Sequence, residues 1–216
     1  MITDERTTSY INSLDRGNST FLNTLEMEAQ RDGVPIIRRE AQALLRVLLS
    51  MHRPLRILEV GTAVGFSALF MEEYAPEDAS VTTIEKYEKR IPVAKENFRR
   101  AGKEGKITLL EGDADEVLKS LHEPYDFIFM DAAKAQYIHF FPEVMRLLLP
   151  GGVLVSDNVL QDGDIIESKF AVTRRDRTIH KRMREYLYTL MNHGELVTTI
   201  LPVGDGMTVS VKKGQW

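Results

Sequence analysis

The 216-residue chain has no cysteine. That absence excludes disulfides, thiolate zinc sites and a cysteine nucleophile, and it suits a reducing compartment. The opening stretch "MITDERTTSY" lacks both a basic segment and an apolar one, and no apolar run approaches the length needed to cross a bilayer. The expectation is a soluble cytoplasmic protein with no membrane partner. Positive charge is not in excess either. A formal net charge of −4 argues against a protein that coats nucleic acid nonspecifically, and leaves room for a local basic patch. Internal repeats, low-complexity tracts and linkers long enough to mark a second domain are also missing. The five histidines, His52, His122, His139, His180 and His193, show no ligand spacing and read as structural or surface residues. What remains is 43% apolar and 28% charged. A chain of this length buries roughly 70% of the surface its unfolded form exposes, enough for one domain over residues 1–216.

Residues 1–53 carry helical patterning and form an expected N-terminal helical cap. In "FLNTLEMEAQRD" the apolar positions Phe21, Leu22, Leu25 and Ala29 recur at three- and four-residue steps, as do Ala41, Leu44, Leu45, Leu48 and Leu49 further on. "GVPII" breaks the two. From Pro54 to residue 216 short apolar runs alternate with amphipathic stretches: "RILEVG", "SVTTIEK", "ITLLEGD", "YDFIFMD", "GVLVSDN". Such alternation predicts an α/β core with right-handed crossovers and a parallel sheet covered on both faces. The end differs. "ELVTTILPVGDGMTVSVKK" reads as two strands joined at Gly204, Asp205 and Gly206, a hairpin that brings at least one antiparallel strand.

"ILEVGTAVGFS" is a strand turning at Gly61 and entering a helix near Gly65. Ligands of open parallel sheets bind beyond the carboxyl ends of the strands, where glycines let them approach the backbone. A dinucleotide fingerprint would need glycines where Ala63 and Phe66 stand. The looser spacing found here, Glu59, Gly61 and Gly65, is typical of S-adenosylmethionine-dependent methyltransferases. Glu85 ends the next strand, placed to accept hydrogen bonds from ribose hydroxyls. Asp113 ends the third, placed with Ala114 to address an adenine. The alternative is that the glycines serve helix–strand packing and the acids are solvated caps. Three consecutive strand ends carrying acids weigh against it.

Two further strands stop on oxygen donors, "FIFMD" on Asp131 and "GVLVSDN" on Asp157 and Asn158. Taken singly these are common turn residues. Together, at one edge of the sheet, an all-oxygen set without His or Cys suits a hard divalent cation, Mg²⁺ foremost. Lys134 follows Asp131 by three residues. It is either a general base, once burial and a cation favour its neutral form, or a simple point charge.

"EVGTAVGFS", "TIEK", "GDA", "FMDAAK", "SDN" and "PVGDG" together resemble the cation-dependent O-methyltransferases, which include the catechol and caffeoyl-coenzyme A enzymes. The resemblance covers nearly the whole chain. It implies a Rossmann-like, seven-stranded, mostly parallel sheet with a reversed C-terminal strand and added N-terminal helices. It implies Asp131, Asp157 and Asn158 as Mg²⁺ ligands and Lys134 as catalytic base. Ile36, Glu59, Gly61, Thr62, Ser67, Glu85, Asp113, Ala114 and Asp131 become contacts to S-adenosylmethionine. A homodimer is common in the class.

The chemistry requires an acceptor with two adjacent oxygens, as in a catechol or in 5-hydroxyuridine. "KFAVTRRDRTIHKRMREYLYTLMNH" concentrates Lys169, Arg174, Arg175, Arg177, Lys181, Arg182 and Arg184 against Asp176 and Glu185. The block is either a solvated helix face or an RNA contact, with Arg174, Arg175, Lys181 and Arg182 as its candidate phosphate ligands. "VPII", "LMNH" and "ILPVGDG" are most similar to bacterial tRNA 5-hydroxyuridine methyltransferases, which form 5-methoxyuridine at the wobble position. A small vicinal-diol aromatic is the alternative acceptor, and a noncatalytic cofactor-binding protein is disfavoured by the complete ligand set.

Overall fold

The computed structural model describes residues 4–168 and 170–214, so Lys169 lies outside the described residues. Three helices open the chain: α1 (Glu5–Leu14), α2 (Thr20–Arg31) and α3 (Arg39–His52). The Asp4 carboxylate accepts from the Thr7 amide at the start of α1, and the Ser19 hydroxyl accepts from the Leu22 amide at the start of α2. Each cap supplies an acceptor to an amide with no partner inside its helix. Leu22, Leu25 and Ala29 of α2 and Ala41, Leu45 and Leu49 of α3 are buried, as their spacing predicts. Arg53 then turns left-handed (φ 53°) and Pro54 follows, which ends the helix.

Strands and helices then alternate: β1 (Arg56–Val60), α4 (Phe66–Tyr74), β2 (Ser80–Glu85), α5 (Ile91–Arg100), β3 (Ile107–Glu111), α6 (Ala114–Ser120), β4 (Tyr125–Met130), α7 (Tyr137–Leu147), β5 (Leu148–Ser156), α8 (Arg177–Asn192), β6 (Leu196–Leu201) and β7 (Met207–Lys212). Short 3₁₀ segments cover Lys134–Gln136 and Gln161–Ile166. The seven strands form one sheet in the order β3-β2-β1-β4-β5-β7-β6. β7 alone is reversed, antiparallel to both β5 and β6. This is the Rossmann-like sheet that the sequence predicted.

Alternation along the strands divides two cores. Leu58, Val60, Ile128 and Met130 face α6, α7 and α8, whereas Ile57, Phe127 and Phe129 face α4 and α5 together with α2 and α3. β1 and β4 are therefore covered on both faces, as central parallel strands are, with Glu59 the one buried charged group of β1. The hairpin between β6 and β7 is brought against the loop after β5. The Val159 and Leu160 amides donate to the Gly206 and Asp205 carbonyls, both at 2.9 Å. A Cβ at Gly206 (φ 89°) would lie 2.4 Å from Leu160 Cγ, so only glycine permits the approach. Among the described residues no helix is long and apolar enough to cross a membrane.

Candidate active site

The strand order reverses between β1 and β4, and the loops leaving these strands meet there. The Asp131 amide donates to Val60 O and the Asp157 amide to Met130 O, both at 3.0 Å, tying the ends of β1, β4 and β5 in a row. Gly61 has φ 95°, and a Cβ on it would sit 2.4 Å from the Asp131 carbonyl oxygen. The close approach of the two loops depends on that missing atom.

Two hollows open along this edge. The first, of about 530 Å³, is lined by Gly61, Glu85, Asp113, Ala114 and Asp131 among others. The second, of about 420 Å³, is lined by Ile36, Thr62, Ser67, Lys134, Asp157 and Asn158 among others. All the residues expected to touch a cofactor line one of them, with the exception of Glu59. Glu59 is fully buried beneath the glycine loop and hydrogen-bonds Thr83 Oγ1. It braces the loop from below rather than forming its surface, because its place in β1 turns the side chain into the sheet-covered interior. Burial pushes its carboxyl up to about 7.

Glu85 accepts the Ala63 amide at 2.8 Å on one oxygen, and the Lys86 and Tyr87 amides at 2.9 and 2.8 Å on the other. The first of these bonds anchors Ala63 in a left-handed conformation (φ 49°) that a non-glycine residue adopts only at a cost. A carboxylate has about four acceptor sites, so Glu85 retains capacity for a ligand hydroxyl. Asp113 is the N-cap of α6, accepting from the Asp115 amide at 3.0 Å, and it also pairs with Lys86 at 3.1 Å. Capping and cleft lining are combined in this residue.

Asp131, Asp157 and Asn158 come together in the second hollow. Asn158 Nδ2 donates to Asp131 Oδ1 at 3.2 Å, and the Asn158 amide donates to Asp157 Oδ1 at 2.7 Å. Asn158 is left-handed (φ 60°), a conformation asparagine tolerates better than most residues. Asp157 is 3% exposed. Burial, and then the neighbouring Asp131, push its carboxyl up to about 7, and burial also raises Asp131. Among the described residues no three His, Cys, Asp or Glu side chains converge as a metal cluster. A cation here would be held by two carboxylates and one amide oxygen, with water and acceptor completing the shell. This hard-oxygen set fits Mg²⁺, and a divalent charge would relieve the repulsion between the two buried carboxyls.

Sequence reasoning missed the groups that brace this set. Tyr137 closes the "FIFMDAAKAQY" stretch, and its buried hydroxyl lies 3.0 Å from Met130 O and 3.1 Å from Asp157 O. Arg38 reaches across the second hollow to Asp205 at 2.6 Å and to Asp162 at 3.1 Å, fastening the "VPII" segment to the hairpin and to the loop after β5. Burial pushes Asp205 up to about 6. Asp205 stands in the quoted "PVGDG", but nothing in that string announces an arginine partner so far away in the chain.

The basic block splits. Arg174, Arg175 and Lys181 are exposed, whereas Arg182 is half-buried and donates to the Ala135 carbonyl at 3.3 Å, next to Lys134. Arg177, Lys181 and Arg184, four and three residues apart on α8, line one surface cleft of about 550 Å³ with Glu167, Ser168 and His180. Of these three, the sequence reading selects Lys181 alone; spacing along the helix would add Arg177 and Arg184.

Comparison with known proteins agrees with this architecture. A catechol O-methyltransferase of Niastella koreensis is 35% identical over 57% of this chain, and the match spans 58% of that protein's length. A Staphylococcus aureus structure described as a candidate caffeoyl-CoA O-methyltransferase is 32% identical, covers 97% of this chain and 100% of that one, and superposes with a TM-score of 0.89. The S-adenosylhomocysteine-bound Podospora anserina methyltransferase PaMTH1 is 26% identical over 97% of this chain and 95% of that one, with a TM-score of 0.86. The sequence profile of the O-methyltransferase family matches residues 13–213, so nearly the whole chain, with both hollows and the β4 and β5 strand ends, belongs to that family.

Proposed function

We propose that the protein is an S-adenosylmethionine- and Mg²⁺-dependent O-methyltransferase that converts 5-hydroxyuridine at the tRNA wobble position to 5-methoxyuridine. The donor is supported by the paired hollows at the strand switch and by the Glu85 carboxylate at the end of β2. When bound, S-adenosylmethionine supplies an electrophilic methyl, and the divalent cation supplies charge that orients and acidifies one of two adjacent acceptor oxygens. Asp131, Asp157 and Asn158 would hold that cation. Lys134 lines the same hollow and takes the hydroxyl proton at Nζ. Tyr137 fixes the Asp157 backbone, and the Arg38 clasp to Asp205 and Asp162 keeps the "VPII" segment over the acceptor side.

The observation that favours RNA is the α8 cleft, where Arg177, Lys181 and Arg184 face one carboxylate, Glu167. Phe170, two residues after Ser168 of that lining, is 76% exposed, an aromatic surface of the kind on which unpaired bases stack. α8 also packs against the Lys134 segment, so the helix that carries the cleft borders the acceptor side. The second reading, a small catechol or caffeoyl-type acceptor, is favoured by the relatives. Mass spectrometry of tRNA nucleosides from a strain lacking the protein decides between them. Loss of 5-methoxyuridine with accumulation of 5-hydroxyuridine is expected, and an unchanged nucleoside profile transfers the assignment to catechols. A homodimer is supported by the apolar side chains exposed on the N-terminal helices, Tyr10, Ile11 and Leu14 on α1 and Val47 and Met51 on α3. A monomeric mass by light scattering would remove it.

A further inference from the structure

Gly61, Ala63, Arg90 and Asp131 line both hollows of the cleft. A ligand that occupies both must pass this shared wall, which offers one carboxylate, Asp131, and one cation, Arg90. Arg90 immediately precedes α5, is half-buried, and its guanidinium carbon lies 5.6 Å from the centroid of the Tyr87 ring. Of the other Lys and Arg side chains lining the hollows, Arg38 pairs with Asp205 and Asp162 and Lys86 with Asp113, while Lys134 lines the second hollow alone and is outside the shared wall. No described carboxylate forms an ion pair with Arg90.

A guanidinium held by an aromatic face and partly withdrawn from water is stabilised when an anion meets it, and its planar fork matches a carboxylate in two-pronged fashion. The donor proposed above carries one carboxylate and one ammonium on its aminoacyl arm. Resting on that donor, we infer that Arg90 binds the α-carboxylate of S-adenosylmethionine while Asp131 faces the ammonium. The acceptor fits less well. Its oxygens must reach Lys134, Asp157 and Asn158, which line the second hollow alone, whereas Arg90 also borders the first.

The test is calorimetric titration of the wild type, Arg90→Gln and Arg90→Met with S-adenosylmethionine and with its decarboxylated form. Circular dichroism establishes that each variant is folded, and the methionine stem preserves packing on Tyr87 if glutamine does not. A charge-assisted pair predicts a wild-type preference for the intact donor of about ten- to a hundredfold. Either variant should bring the ratio close to one by weakening the intact donor alone. A variant that keeps the wild-type ratio, or weakens both ligands equally, overturns the assignment. A wild type that binds neither ligand overturns the donor reading itself, a result distinct from both.

Discussion

Replacing Asp157 by asparagine should make the metal-free protein more stable while abolishing methyl transfer. Asp157 is buried next to Asp131, and its carboxyl titrates at about 7 rather than 3.8. The folded state therefore keeps this proton over a window in which the unfolded state has released it. Stability falls as pH rises from about 4 to about 7, and the loss is complete above that. A displacement of this size disfavours the buried anion by roughly 4 kcal/mol, an upper figure because Asp131 shares the charge. The side-chain oxygen of the Asp157→Asn variant would still accept the Asn158 amide that Asp157 Oδ1 accepts now, at 2.7 Å. For a chain of this length 1 kcal/mol is worth about 2–4 °C, so at pH 8 in chelator the variant should melt about 5 °C or more above the wild type. Near pH 4 the two should coincide. Magnesium should stabilise the wild type by about 2–3 kcal/mol at a hundredfold excess over its dissociation constant, and should leave the variant unmoved. Thermal denaturation at four pH values, with chelator and with magnesium, measures all of this. Equal melting temperatures at pH 8 in chelator, or a wild type indifferent to magnesium, would refute the reasoning.

Three other outcomes follow from single contacts. Glu85→Ala removes an acceptor for donor hydroxyls and frees the Ala63 amide, and should weaken S-adenosylmethionine binding roughly ten- to a hundredfold by calorimetry; unchanged affinity rejects the role. Tyr137→Phe leaves the Met130 and Asp157 carbonyls without that hydroxyl, and should cost about 1–3 kcal/mol in urea unfolding together with a fall in kcat; a loss below about 0.5 kcal/mol would mean the hydroxyl braces nothing. Arg177→Gln with Lys181→Gln should weaken tRNA binding and lower the salt slope by about one to two, since each phosphate contact contributes roughly 0.7–0.9. The same pair should leave catechol turnover untouched, and an unaltered salt slope would reduce the α8 cleft to a solvated helix face.

The sequence alone determined what depends on local order. Apolar spacing marked the helices and strands, strand–helix alternation implied the parallel sheet, and Gly204 to Gly206 marked the hairpin that reverses β7. The meeting of Asp131, Asp157 and Asn158 was legible because each lies at the end of an apolar strand, and the ends of neighbouring parallel strands converge on one edge whatever the loop details. Tertiary structure decided what depends on distance through space. Whether Glu59 faces the cleft or the interior turned on the two-residue alternation within β1 and on what covers each face. Arg38 found Asp205 and Asp162 because the hairpin and the β5 loop are bonded together above the N-terminal segment. Arg90 entered the wall of both hollows because α5 begins beside the glycine loop. Within the basic block, Arg182 and Arg177 look alike as letters. One turns in to a backbone carbonyl and the other lines an open cleft, because successive residues of a helix face different sides and only the packed neighbours decide which side is solvent.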